Sequence, residues 1–120
     1  MAKIKQSTKH KQWLQTVVEF AAKHGPVVKG HGRVQIHHVV GPTYVHNKVP
    51  IGHWFLLPLP FELHDVSSNH PCNVTHFRKR FTEEHGEQRI LFELMCEIIR
   101  AEGGTLPPDE ALQAIQQTRY

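Results

Sequence analysis

The chain reads as one α+β domain, and three observations predict that class. Apolar residues recur at helical spacing towards both ends of the sequence. Between them lie short β-branched and apolar runs of strand length, bounded by Gly and Pro. The length, 120 residues with 39% hydrophobic and 21% charged side chains, is enough for a single modest core and not for two.

Each element follows from local signals. Residues 1–6 are polar and basic and form a flexible tail. Ser7 or Thr8 offers an N-cap, and Leu14, Val17, Val18 and Ala21 follow at i, i+3, i+4 and i+7, a helix with its stripe on the core. Gly25-Pro26 ends that helix, because proline bars its continuation. Val34–Val40 alternates weakly and is rich in β-branched residues, which predicts a strand closed by Gly41-Pro42. Residues 41–53 have no helical period and read as an extended loop. Trp54–Leu59 is either a second strand or a buried extended segment, with Pro58 limiting central pairing. Phe61–Asp65 forms a short helix after Pro60, and residues 66–72 form a loop. Asn73 is a candidate N-cap for a helix of about two turns through Phe81. A longer helix spans Gly86 to Glu102, with Leu91, Leu94, Met95, Ile98 and Ile99 as its apolar stripe and Gly103-Gly104 as its stop. Pro108-Asp109-Glu110 opens a last helix that presents Leu112 and Ile115 on one face.

Composition excludes several classes. No apolar run approaches the roughly 18 residues that span a bilayer, so no membrane role is expected. The segment MAKIKQSTKHKQ lacks an apolar h-region, which argues for a cytoplasmic protein. Cys72 and Cys96 form no CxxC pair, so neither a disulfide framework nor a four-cysteine zinc ribbon can be built. Lys and Arg exceed Asp and Glu by 14 to 11, a net charge of +3. That balance fits a nucleic-acid partner. The run His76-Phe77-Arg78-Lys79-Arg80-Phe81 sets three cations between two aromatics, and Lys3, Lys5, Lys9 and Lys11 add charge near the N-terminus. The plain reading of either run is a solvated face.

Histidine is the anomaly, at 11 residues, of which seven lie between positions 31 and 70. His24 at a helix end, and His10, His31 and His85, read as ordinary surface residues. His46 and His53 read first as hydrogen-bonding loop residues. His37, His38, His64 and His70 are different. His37 and His38 are adjacent on a strand, so they face opposite sides unless the strand end bends. Together with His64 on a short helix they supply both a metal ligand and a general base.

The residues around them match a known pattern. His37-His38-Val39-Val40, then Phe55-Leu56-Leu57-Pro58-Leu59-Pro60-Phe61-Glu62-Leu63-His64-Asp65, resembles the HNH (ββα-metal) endonucleases. In that family a strand ends in Asp-His or His-His, a second strand reads Asn-Leu-x-Pro-Leu, and a helix opens with a metal-binding His. The phrases VQIHHVVG, HNKVPIGHWFLLPLPFELHD and SSNHPCNVTHF are similar to the phage recombination-enhancement-function (Ref) proteins, which are RecA-dependent HNH nucleases. The likeness covers roughly residues 30 to 100. It departs from the pattern at Phe55, which stands where the motif has Asn, and in lacking the flanking CxxC pairs. Ser68 stands one turn after His64, which leaves Asn69 or His70 as the substitute for the last motif residue.

The resemblance implies a compact domain over residues 7–120 with a ββα-metal core and flanking helices. It implies a phosphodiester hydrolase in which His38 takes a proton from water. His37 and His64 would bind one Mg²⁺, with His70 as third ligand or phosphate contact, and Zn²⁺ or Ni²⁺ able to replace it. His53 and Asn69 would orient the base or hold a neighbouring phosphate. Cys72 with His76 or His70 would form a second, mixed metal site for Zn²⁺. Arg78, Lys79 and Arg80 would hold backbone phosphates. The implied partners are DNA, single-stranded or in a displacement loop, and a RecA filament in the cytoplasm of a bacterial host, the gene being phage or prophage encoded. The competing reading is a non-catalytic nucleic-acid-binding domain held by a structural zinc, which unfolds on chelation and cuts nothing. A plain helical adaptor with incidental histidines is disfavoured by their clustering.

Overall fold

A computed structural model describes residues 6–120. The tail expected over residues 1–6 lies outside the described residues except for Gln6, which is exposed. Ser7 caps the first helix, α1 (Thr8–His24): its hydroxyl accepts the His10 backbone N–H while the His10 ring accepts the Ser7 N–H. This is a capping box with imidazole in the place usually held by a carboxylate or carboxamide. The buried face of α1 is Trp13, Val17 and Phe20; of the expected stripe Val17 is fully buried, Leu14 and Ala21 are half-buried, and Val18 is 41% exposed. The two aromatics bury more surface than Val or Ala and rotate the helix towards themselves.

The first strand, β1 (Val34–His38), stops short of the expected Val40, although Val39 N–H still donates to the Phe55 carbonyl at 3.1 Å. The segment expected to be a plain loop contains a hairpin of β2 (Val45–His46) and β3 (Val49–Pro50). Asn47 and Lys48 make its turn in the left-handed region, at φ 48° and 68°. Left-handed turns of this kind usually show a Gly, and none marks this one in the sequence. Trp54–Leu59 resolves into a strand, β4 (Leu56–Pro60), antiparallel to β1 with Val34 opposite Pro60 and His38 opposite Leu56. All five β4 residues are buried. Pro58 has no N–H to give; it sits opposite Ile36, and its carbonyl accepts the Val27 N–H at 3.0 Å.

β4 runs directly into α2 (Phe61–His64). The helix expected over Asn73–Phe81 is displaced: α3 spans Arg78–His85. Asn73 caps a turn instead of a helix. Its buried carboxamide donates to the Glu62 and Asp65 carbonyls (3.1 and 2.9 Å) and accepts the Thr75 and His76 N–H groups (2.9 and 3.2 Å). Satisfying the open carbonyls around α2 holds the chain there, so the helix starts later. Next come α4 (Gln88–Ala101) and α5 (Asp109–Gln116), where expected. The core face of α4 is Gln88, Phe92, Met95, Cys96 and Ile99, while Leu94 and Ile98 of the expected stripe are 53% and 41% exposed.

β4 is the centre of the molecule. It packs against both α1 and α4, and α5 packs on α4 and the β3 edge. Phe92 is the hub, its ring 5.3 Å from Phe55 and 6.1 Å from Trp13. A radius of gyration of 13.8 Å matches the roughly 13.6 Å expected of one compact body of this length. The coarse class is therefore α+β, with β1, β4 and α2 in strand–strand–helix order.

Candidate nucleophile-activating and metal-binding site

Two neighbouring elements bring the central histidines together. On β1, residues two apart share a face, so Gln35 and His37 point the same way, and His38 follows as the last residue of the strand. The turn from β4 into α2 delivers His64 to the Gln35–His37 face. The His37 and His64 rings stand 4.8 Å apart, edge to face. His38 is at the exposed strand end, close enough that its charge would disfavour a charge on either of the other two rings.

Hydrogen bonds settle which ring nitrogens carry protons. His64 Nδ1 lies 2.6 Å from Gln35 Oε1, and Gln35 Nε2 donates to Asp65 Oδ1 at 2.9 Å. An amide oxygen can only accept, so His64 donates from Nδ1 and keeps a lone pair on Nε2. His37 Nε2 likewise donates to Gln88 Oε1 at 3.0 Å, which leaves its Nδ1 lone pair. Gln88 is buried, and its backbone N–H is held by the Tyr120 carbonyl, so the C-terminus anchors this contact.

Burial disfavours the charged form of all three imidazoles. His37 is lowered to about 4, mainly by burial and then by the neighbouring His64, with the Gln88 bond opposing. His38 is lowered by partial burial and by His53. His64 is lowered by burial against the opposing pull of Asp65. Asp65 itself is lowered to about 2 by the Gln35 and Ser67 hydrogen bonds. Two imidazole lone pairs on adjacent rings suit a borderline divalent cation and leave further positions for phosphate oxygens or water. Such a donor pair suits Zn²⁺ or Ni²⁺ better than Mg²⁺, which prefers oxygen ligands and would draw most of its shell from water and substrate.

The remaining expected residues fall as follows. His70 does not complete a three-histidine set: its Nδ1 accepts the Cys72 N–H at 3.0 Å within its own loop. Of the expected Cys72–His76 site, His76 Nε2 is engaged by the Val66 carbonyl at 2.7 Å, and Cys72 is a half-buried free thiol. Among the described residues, no three His, Cys, Asp or Glu side chains are grouped to hold a metal ion. Asn69 is exposed on the same loop as His70. His53 is half-buried, stacked 4.8 Å from His10, and near enough to lower His38. Arg78, Lys79 and Arg80 form the exposed first turn of α3 with no acidic residue among them. Arg78 lies 4.6 Å over the Tyr120 ring and Arg80 4.8 Å over Phe77; Phe81, the other flanking aromatic, is fully buried.

Sequence reasoning missed Gln35, Asp65 and Gln88 as supporting residues, and took Asn73 only for a helix cap. Two of the three carried a signal: Gln35 precedes His37 by one strand period, and Asp65 follows His64 directly. Gln88 acts across 51 residues and carried none.

In comparisons with known proteins, no family model matches the chain, and no curated protein and no solved structure matches it.

Proposed function

We propose that this chain is a divalent-metal-dependent DNA endonuclease of the HNH type, a phage recombination nuclease acting on RecA-bound DNA in the bacterial cytoplasm. The observation that carries the reading is the pair of neutral imidazoles of His37 and His64, 4.8 Å apart beside the strand–helix junction, with His38 next on the strand. That order repeats the family resemblance in the sequence.

His37 and His64 would hold the cation through their unprotonated nitrogens. A divalent ion bound there, Mg²⁺ by the family resemblance, would supply Lewis-acid neutralisation of charge on the scissile phosphate. His38 accepts a proton from the attacking water; its lowered affinity for protons keeps it in the base form at neutral pH. His53 keeps a second imidazole beside that base. Arg78, Lys79 and Arg80 bind flanking phosphates, a contact that positions DNA and reads little sequence. Their placement at the positive end of α3 opposes the helix dipole, a local cost to folding that an anionic partner would relieve.

The test is nicking of circular DNA in Mg²⁺, with and without a RecA–ATP filament on single-stranded DNA. His38→Ala should slow cleavage by about 10²–10⁴-fold, the range of a lost general base, with binding of DNA intact. His64→Ala should lose cleavage and cation binding together. Undiminished nicking by His38→Ala removes the assigned base; no strand cleavage by the unaltered protein under any cation removes the enzyme.

A further inference from the structure

Between His64 and the surface stands a short chain of hydrogen bonds with a fixed direction. Ser67 donates its backbone N–H (3.0 Å) and its hydroxyl to Asp65 Oδ2. Asp65 Oδ1 is thereby left for Gln35 Nε2 at 2.9 Å. A carboxylate accepts and never donates, so the Gln35 amide has one orientation, with Oε1 towards His64. Oε1 accepts from Nδ1 at 2.6 Å. The chain thus imposes the Nδ1–H form on a neutral ring, whereas a histidine side chain free in water favours the proton on Nε2.

We infer that Gln35, oriented by Asp65, is a positioning residue that locks His64 in the Nδ1–H tautomer and so presents Nε2 as a permanent lone-pair donor. The inference rests on the proposed function only in treating that donor as a cation ligand; the tautomer itself stands apart from any cleavage. Outer partners of this kind set ligand orientation in metal sites, and losing one typically weakens metal binding about 10–100-fold. Gln35 is well placed for the task. It is paired in register with Leu59 on β4, one residue before the strand passes into α2, so the bond ties β1 to α2 across that junction.

The experiment is long-range ¹H–¹⁵N correlation on full-length, imidazole-labelled, metal-free protein at pH 7.5, with Zn²⁺ binding followed by calorimetry. The unaltered protein should show His64 protonated at Nδ1 and bare at Nε2. Gln35→Leu should move the proton to Nε2 and weaken Zn²⁺ by about 10–100-fold. Asp65→Asn alters a surface residue and leaves the core intact, so it serves if Gln35→Leu fails to fold; freeing the amide to turn over, it should produce a mixture of tautomers. An Nε2–H signal in the unaltered protein overturns the inference, as does an unchanged His64 in both Gln35→Leu and Asp65→Asn. Because no DNA is present, a protein with the expected tautomer that never cuts DNA refutes the nuclease and leaves the lock standing.

Discussion

A neutral imidazole packed inside the fold makes stability depend on pH. His37 binds its proton at about 4 in the folded chain, against 6.5 in the unfolded one. Between those values the unfolded state holds more protons, so stability is complete above about 6.5 and falls as pH drops towards 4. The shift corresponds to about 3 kcal/mol for this one ring. His38 and His64 are shifted in the same direction and add to the loss. Urea denaturation of metal-free protein should therefore show a lower midpoint at pH 4.5 than at pH 7.5, and His37→Asn should shrink that difference. An equal pH sensitivity in His37→Asn would show that the acid sensitivity lies elsewhere.

At the scale of elements, the connection from β1 to β4 is held by backbone contact. Gly52 is buried, and a Cβ there would stand 2.3 Å from the Gly41 carbonyl oxygen and 2.5 Å from that of Pro42. Backbone oxygens cannot swing aside as a flexible side chain can. Gly52→Ala should cost about 2–3 kcal/mol, in the range of overpacked cores, and lower Tm by on the order of 10 °C. Gly41→Ala is the control, since a Cβ there meets nothing within 4 Å and Tm should stay put. Equal melting of the two variants would contradict the close approach. Gly52 lies beside His53, so the same contact sets where that ring stands relative to His38. On the far side of the site, Gly32 at φ +90° lets the chain pass 2.5 Å (from a would-be Cβ) over the Phe61 Cβ, which seats the start of α2.

For the whole molecule, charge decides how DNA would be met. The cations of α3 face solvent without a carboxylate partner among the described residues, where the ion pairs are Lys23 and His24 with Glu102 and Arg89 with Glu87. Each phosphate neutralised on single-stranded DNA contributes about −0.7 to the slope of log K against log salt. Replacing Arg78, Lys79 and Arg80 by Gln should therefore make that slope shallower by about 2, read by fluorescence anisotropy of a labelled oligonucleotide between 50 and 200 mM salt. An unchanged slope would place the DNA elsewhere on the surface. Among the described residues no helix is long and apolar enough to cross a membrane.

Helix existence, the glycine and proline stops, the β4 strand and the short α2 after Pro60 were legible from the chain alone, because each depends on neighbours within one or two turns. The sequence also nominated His37, His38 and His64, from residue type, strand period and the position of one helix start. What lay beyond reading was set by partners distant in sequence. The core faces of α1 and α4 turned towards Trp13 and Phe92, because burial of large rings outweighs a regular aliphatic stripe. Asn73 bound the carbonyls around α2 and pushed α3 downstream. The protonation of the site was decided by Gln35 and Gln88, neutral amides without any motif. Composition and spacing can nominate a ligand, but which of its two nitrogens is free depends on a hydrogen bond that only packing creates.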